Sequence, residues 1–156
     1  MESNRFYYRL FKYGFLLLGI ILLLTAVGSL IKLESITING EHGTVDIYTT
    51  IVLFSLGILL ILLFLLLKDK FVLVHLTNQT LKITHKRQET TCNWFEVEHL
   101  TQVQFIIPPL YKIKLKYSNR SLLFNTDAKY FSFSGFVRDL SEMGTLIRNK
   151  KSELRI

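Results

Sequence analysis

His75, His85, Cys92 and His99 are of residue types that can bind a metal or attack a substrate. Their gaps are ten, seven and seven residues, whereas zinc sites place ligands in tight pairs such as C-x2-C or H-x3-H. If residues 71–76 and 80–86 pair as a hairpin, His75 and His85 approach each other, but two ligands do not complete a site. As a nucleophile, Cys92 needs His85 or His99 within hydrogen-bond reach and a third group to orient the base. The spacing points to neither. No glycine-rich phosphate loop or paired-carboxylate motif occurs. The four residues read as ordinary strand histidines and a small buried cysteine. The expectation is therefore no metal, no cofactor and no catalysis.

The pattern that stands out is electrostatic. YKIKLKY, residues 111–117, carries a lysine at every second position. In a strand, alternate side chains share a face. Lys112, Lys114 and Lys116 then form a row on one side, with Arg120 in the turn beyond. Tyr111, Ile113, Leu115 and Tyr117 form an apolar side for a core. The row is a candidate basic interaction surface for anionic lipid headgroups or an acidic partner. The competing reading is a solvated strand face whose lysines discourage edge pairing.

What must position this strand begins with two runs free of charge, residues 13–31 and 47–67. About 20 apolar residues cross a bilayer's hydrocarbon core as a helix, and only helices or closed barrels can span lipid. Both runs predict transmembrane helices, joined by an external loop at 32–46. Arg5, Arg9 and Lys12 precede the first span, and Lys68 and Lys70 follow the second. The loop holds Lys32 against Glu34, Glu41 and Asp46. The excess of Lys and Arg outside the loop places both termini in the cytoplasm. A basic start, an apolar run and Ala26-Val27-Gly28 also fit a cleavable leader. The run continues past that point to Ile31, so a retained helix is expected. Neither span contains an ionisable residue, which argues against an ion path or proton relay.

Charge separates the two parts of the chain. The net charge is +7, and residues 68–156 hold 15 Lys plus Arg against 8 Asp plus Glu, so the segment before them is neutral. A basic domain on the inner leaflet faces a negative surface, worth about 1 kcal/mol per nearby Lys or Arg. Its aromatics alternate with aliphatics as core positions, so nucleic acid is not an expected partner. The single Cys92 excludes a disulfide within the chain and fits a reducing compartment.

The basic segment reads mainly as strands. Residues 71–76 and 80–86 form a hairpin around Thr77-Asn78-Gln79. A polar loop covers 87–93. Residues 94–100 and 101–107 make one long strand or two bent ones, ended by Pro108-Pro109. Strands at 111–117 and 121–126 flank Ser118-Asn119-Arg120, and 129–133 is a last short strand. From Phe136 the apolar residues Phe136, Val137, Leu140, Met143, Gly144 and Ile147 follow helical spacing. Ser134 is the expected N-cap. The domain so defined runs over 68–151, after a tail at 1–12 and the hairpin at 13–67, with a second tail at 152–156.

This order resembles the bacterial pleckstrin-homology-like domains that follow a pair of transmembrane helices. The likeness lies in LTNQTLKIT after the second span, WFEVEHLTQVQF, the KIKLKYSNRSLLF hairpin and the closing FVRDLSEMGTLI helix. It covers about residues 68–150, and with the helix pair nearly the whole chain. It implies a membrane α+β protein: a two-helix transmembrane hairpin, then a bent antiparallel sheet capped by a C-terminal helix. It carries no active site. The expected role is a non-catalytic interaction module of the bacterial inner membrane, an accessory or scaffold subunit with a membrane-protein partner. The alternative is an anionic-lipid-binding envelope-stress or bacteriocin-immunity factor.

Overall fold

The computed structural model describes residues 1–31, 36–38, 41–43, 47–86, 88–127, 129–134 and 136–154. Its chain divides into two compact units, one of Lys12–Lys68 and one joining Met1–Phe11 to Asp69–Ile156. Helix α1 (Arg5–Leu30) is followed by the antiparallel pair β1 (Ile36–Ile38) and β2 (Glu41–Gly43), and then by helix α2 (Ile47–Leu67). Lys32, Glu34 and Asp46, which enter the charge reading of the loop, lie outside the described residues.

Both helices are long and apolar enough to cross a membrane. At about 1.5 Å per residue, the 21 residues of α2 match a hydrocarbon core of about 30 Å. Helix α1 starts well before the expected span. Arg5, Arg9 and Lys12 therefore lie in its first turns, not in a tail. Small residues let the two helices touch. A Cβ at Gly19 would meet the Gly57 carbonyl oxygen at 3.0 Å, and one at Gly57 would meet the Leu23 side chain at 2.9 Å. Ala26 and Thr50 are buried, and Ser29 and Thr50 share a hydroxyl hydrogen bond of 3.0 Å. Gly14 and Gly28, equally small, face open space.

In the other unit, β3 (Leu73–Leu76), β4 (Thr80–His85) and β5 (Gln88–Asn93) form one antiparallel sheet. After a 3-10 turn at Trp94–Glu96, strands β6 (Val97–Val103), β7 (Leu110–Leu115) and β8 (Ser121–Asn125) form a second. A two-stranded ribbon, β9 (Tyr130–Phe133) and β10 (Phe136–Asp139), leads into helix α3 (Glu142–Leu154). Lys70–Val72 bonds to β8, with Val72 N–H to Leu123 O at 2.9 Å and Leu123 N–H to Lys70 O at 2.7 Å, and so links the two sheets. Their inward faces supply Val74, Leu76, Leu81, Ile83, Leu100, Ile113 and Phe124, and α3 adds Met143, Leu146 and Ile147 to the same core. The chain is thus α+β, with antiparallel sheets and a C-terminal helix.

Three expectations are corrected. The polar stretch expected as a loop is strand β5 over residues 88–93, because an edge strand with only Cys92 buried shows no hydrophobic alternation. Phe136 opens a strand, not a helix: it pairs with Phe133, and Val137 and Asp139 alternate inward against outward-facing Arg138. Ser134, expected as the N-cap, lies between the ribbon strands with φ 48°. The residue that caps α3 is Ser141, whose hydroxyl accepts the Gly144 N–H at 3.0 Å.

The expected N-terminal tail is also structured. Glu2 bridges His75 antiparallel. Ser3 N–H donates to Val74 O at 2.8 Å, the Ser3 hydroxyl accepts Val74 N–H at 2.9 Å, and Met1 O accepts Leu76 N–H at 2.8 Å. Met1–Ser3 thus extends the first sheet beside β3. Asn4 then caps α1 by accepting the Phe6 N–H at 2.9 Å, while its amide donates to Asp127 at 3.0 Å.

Candidate functional site

On β7, Tyr111 and Ile113 are buried and Lys112 is exposed, so the strand presents two unlike faces. Register fixes the neighbours of the outer face. Lys112 lies between Thr101 of β6 and Leu123 of β8, and Lys114 lies between His99 and Ser121. The four basic residues are not equivalent. The Lys114 ammonium donates to Glu98 at 2.9 Å and lies 2.8 Å from its second oxygen. That hydrogen bond, with the nearby charges of Lys114, His99 and Lys116, holds the Glu98 carboxyl below the ordinary glutamate range. An irregularity in register between Val97 and His99 accompanies this contact. Lys112, Lys116 and Arg120 are exposed and make no salt bridge among the described residues. The strand ends at Leu115, so Tyr117 leaves the expected core face and is 90% exposed.

The histidines and Cys92 are dispersed. His75 pairs with Lys82 in register, while His85 is an odd number of residues along β4, so the two project to opposite faces. Cys92 is buried opposite Leu81, and burial, reinforced by Glu96, raises its thiol pKa. That environment suppresses the thiolate a nucleophile requires. No group of three His, Cys, Asp or Glu among the described residues is placed to hold a metal.

The best-connected polar cluster is structural and has no counterpart in the sequence reading. Asp139 is fully buried. Its carboxylate accepts the Tyr111 hydroxyl at 3.1 Å, the Thr126 hydroxyl at 2.6 Å and the Ser141 N–H at 2.8 Å. The Arg148 guanidinium donates to the Asp139 carbonyl. Burial and then the Asp139 charge raise the Tyr111 pKa, keeping the phenol protonated as a donor. The cluster ties β7, the residue after β8, β10 and α3 together. Tyr111, Thr126, Asp139 and Ser141 are buried and only Arg148 reaches the surface in part, so the cluster orders the fold.

A second outer surface is the β9–β10 ribbon, where Phe131, Phe133 and Phe136 are 59%, 70% and 64% exposed. Phe105, itself exposed, lies 5.7 Å from Phe136 between ring centroids. The sequence signal for this surface was YFSFSGFVRD, of which 129–133 reads as a strand while the part from Phe136 also fits helical spacing. The candidate surfaces are therefore a partly neutralised basic sheet face and an aromatic ribbon, on a domain attached to two apolar helices. No protein-family model matches this chain, and comparison with curated proteins and with solved structures found no match.

Proposed function

We propose that this chain is a non-catalytic interaction module of the bacterial inner membrane. In this reading a pleckstrin-homology-like domain sits on a two-helix anchor with both termini cytoplasmic. It serves as an accessory or scaffold subunit of a larger membrane-protein assembly. The observation that carries the reading is that the segments before α1 and after α2 enter one unit: Met1–Ser3 pairs with β3, and Lys70–Val72 bonds to β8. Asn4 caps α1 directly after the first contact, and three residues separate α2 from Phe71. The domain is thus joined to its anchor by two short chain connections. Two chain connections suit a module that is kept beside its anchor. Return of both helix ends to the same unit also supports termini on one side, as the basic flanks do.

The test is a mild-detergent pull-down of the tagged full-length chain with mass spectrometry, repeated with Lys112, Lys114 and Lys116 changed to glutamine. A stoichiometric membrane-protein partner is expected. Its absence sinks the subunit reading, and its survival in the triple variant reduces the lysine row to a solvated face. A second reading, an anionic-lipid-binding envelope-stress or bacteriocin-immunity factor, is favoured by the exposed, unbridged Lys112, Lys116 and Arg120. It predicts chain–lipid association that salt weakens, because exposed charges are screened beyond about 10 Å at 0.1 M.

A further inference from the structure

One face of the β9–β10 ribbon is bare, and the other is held to the domain through β10. Residues directly opposite in an antiparallel pair share a side. Phe133 pairs with Phe136 and Phe131 with Arg138, so these four project together. Lys129 and Leu140 continue the same side, joined by Leu140 N–H to Lys129 O at 2.7 Å. The opposite side carries Val137 and Asp139, both buried, which hold the ribbon to the domain. Neither strand places a carboxylate on the bare side. Phe105 adds its ring next to Phe136 while its backbone adopts φ 66°, a left-handed conformation that a bulky residue rarely takes. Single exposed apolar residues need no explanation, but a contiguous aromatic surface marks an interaction site.

We infer that this face inserts into the interfacial region of an anionic bilayer leaflet, with the phenylalanines below the headgroups and Lys129 and Arg138 at the phosphates. Three features select lipid over a protein partner. Phe133 and Phe136 form the ribbon end, Phe131 lies opposite Arg138 on the next rung and Lys129 lies beside Leu140 at the base, so positive charge enters only behind the apolar end, the order in which a bilayer presents hydrocarbon and then anionic headgroups. Long basic side chains extend to phosphates while their stems cover apolar surface. The chain also carries two helices able to cross a membrane, so a leaflet is held near the domain by covalent attachment. The inference rests on the membrane anchoring proposed above.

The experiment reconstitutes full-length Phe133→Trp into vesicles of phosphatidylcholine and phosphatidylglycerol, with and without brominated acyl chains. Trp94, buried and common to parent and variant, supplies the baseline and reports that the domain is folded. The expected result is that the emission gained over the parent is blue-shifted, lost in brominated lipid and insensitive to aqueous iodide. Red-shifted emission quenched by iodide overturns the inference. Emission shielded from both quenchers also overturns it, by showing a protein cover such as a second copy. Co-flotation of the chain with the vesicles is scored separately. Its failure rejects the anchoring as well, whereas flotation with the introduced indole open to iodide rejects the ribbon alone.

Discussion

Gly144 lies in the first turns of α3, where replacement by alanine ought to help. Alanine is favoured over glycine in a helix by about 1 kcal/mol. Here the new Cβ would collide with the Asp139 carboxyl group. That group is fully buried and held by Tyr111, Thr126 and Ser141, so it cannot yield without breaking a bond. Overpacking costs about 1–3 kcal/mol and one lost hydrogen bond to a charged group about 1.5–3 kcal/mol, so after the propensity gain the net loss is about 1.5–5 kcal/mol. The collision wins. Urea unfolding of the full-length chain in mild detergent, followed by the emission of its single tryptophan Trp94, measures the difference. The double variant isolates the cause: in an Asp139→Ala background the obstacle is gone, and Gly144→Ala becomes neutral or stabilising. A Gly144→Ala chain as stable as the parent, with Asp139 in place, refutes the reasoning.

Three further outcomes are expected. Tyr111→Phe removes one bond to the Asp139 carboxylate and lowers stability by about 1.5–3 kcal/mol. The Tyr111 pKa is raised in the fold above its unfolded value near 10, so its contribution is complete below that pH and is lost as pH rises further; urea midpoints compared at neutral and alkaline pH therefore show a steeper decline for the parent than for the phenylalanine variant. Ser3→Ala leaves the buried Val74 N–H without its hydroxyl acceptor and costs about 1–3 kcal/mol, and an unchanged urea midpoint would mean that Met1–Ser3 does not pair with β3. Lys114→Gln releases the Glu98 carboxyl toward the ordinary glutamate range, read by carboxyl NMR. Because the Glu98 pKa is depressed in the fold, any stability it contributes is present at neutral pH and lost as pH falls through the folded value. The pair is half-exposed and screened by solvent, so the melting temperature moves little.

The two apolar helices were legible because freedom from charge over such lengths is a property of composition, read without knowing any partner. Strands β4 and β7 were legible for a similar reason. Their alternation of apolar and polar residues is a local consequence of one face meeting a core. In α3, Met143, Gly144 and Ile147 repeat at helical spacing and all are buried. The helix start was misjudged because Phe136, Val137 and Leu140 satisfy the helical period while also fitting a ribbon. Strand β5 was missed because an edge with one buried residue writes no pattern into its sequence.

Other features depend on partners far away in the chain. Ser3 bonds to Val74 across 71 residues, and nothing in MESN marks it as a strand beside FVLVHL. The pairing of Lys114 with Glu98 follows from the β6–β7 register, which the regular spacing of lysines does not encode. Asp139 looks like an ordinary surface acid until the fold brings Tyr111, Thr126 and Ser141 around it. Sequence by itself determined what each segment is, because polarity and period are local and are written residue by residue. Tertiary structure decided which segments meet, because each contact depends on the free energy of closing the whole core, which no single segment contains.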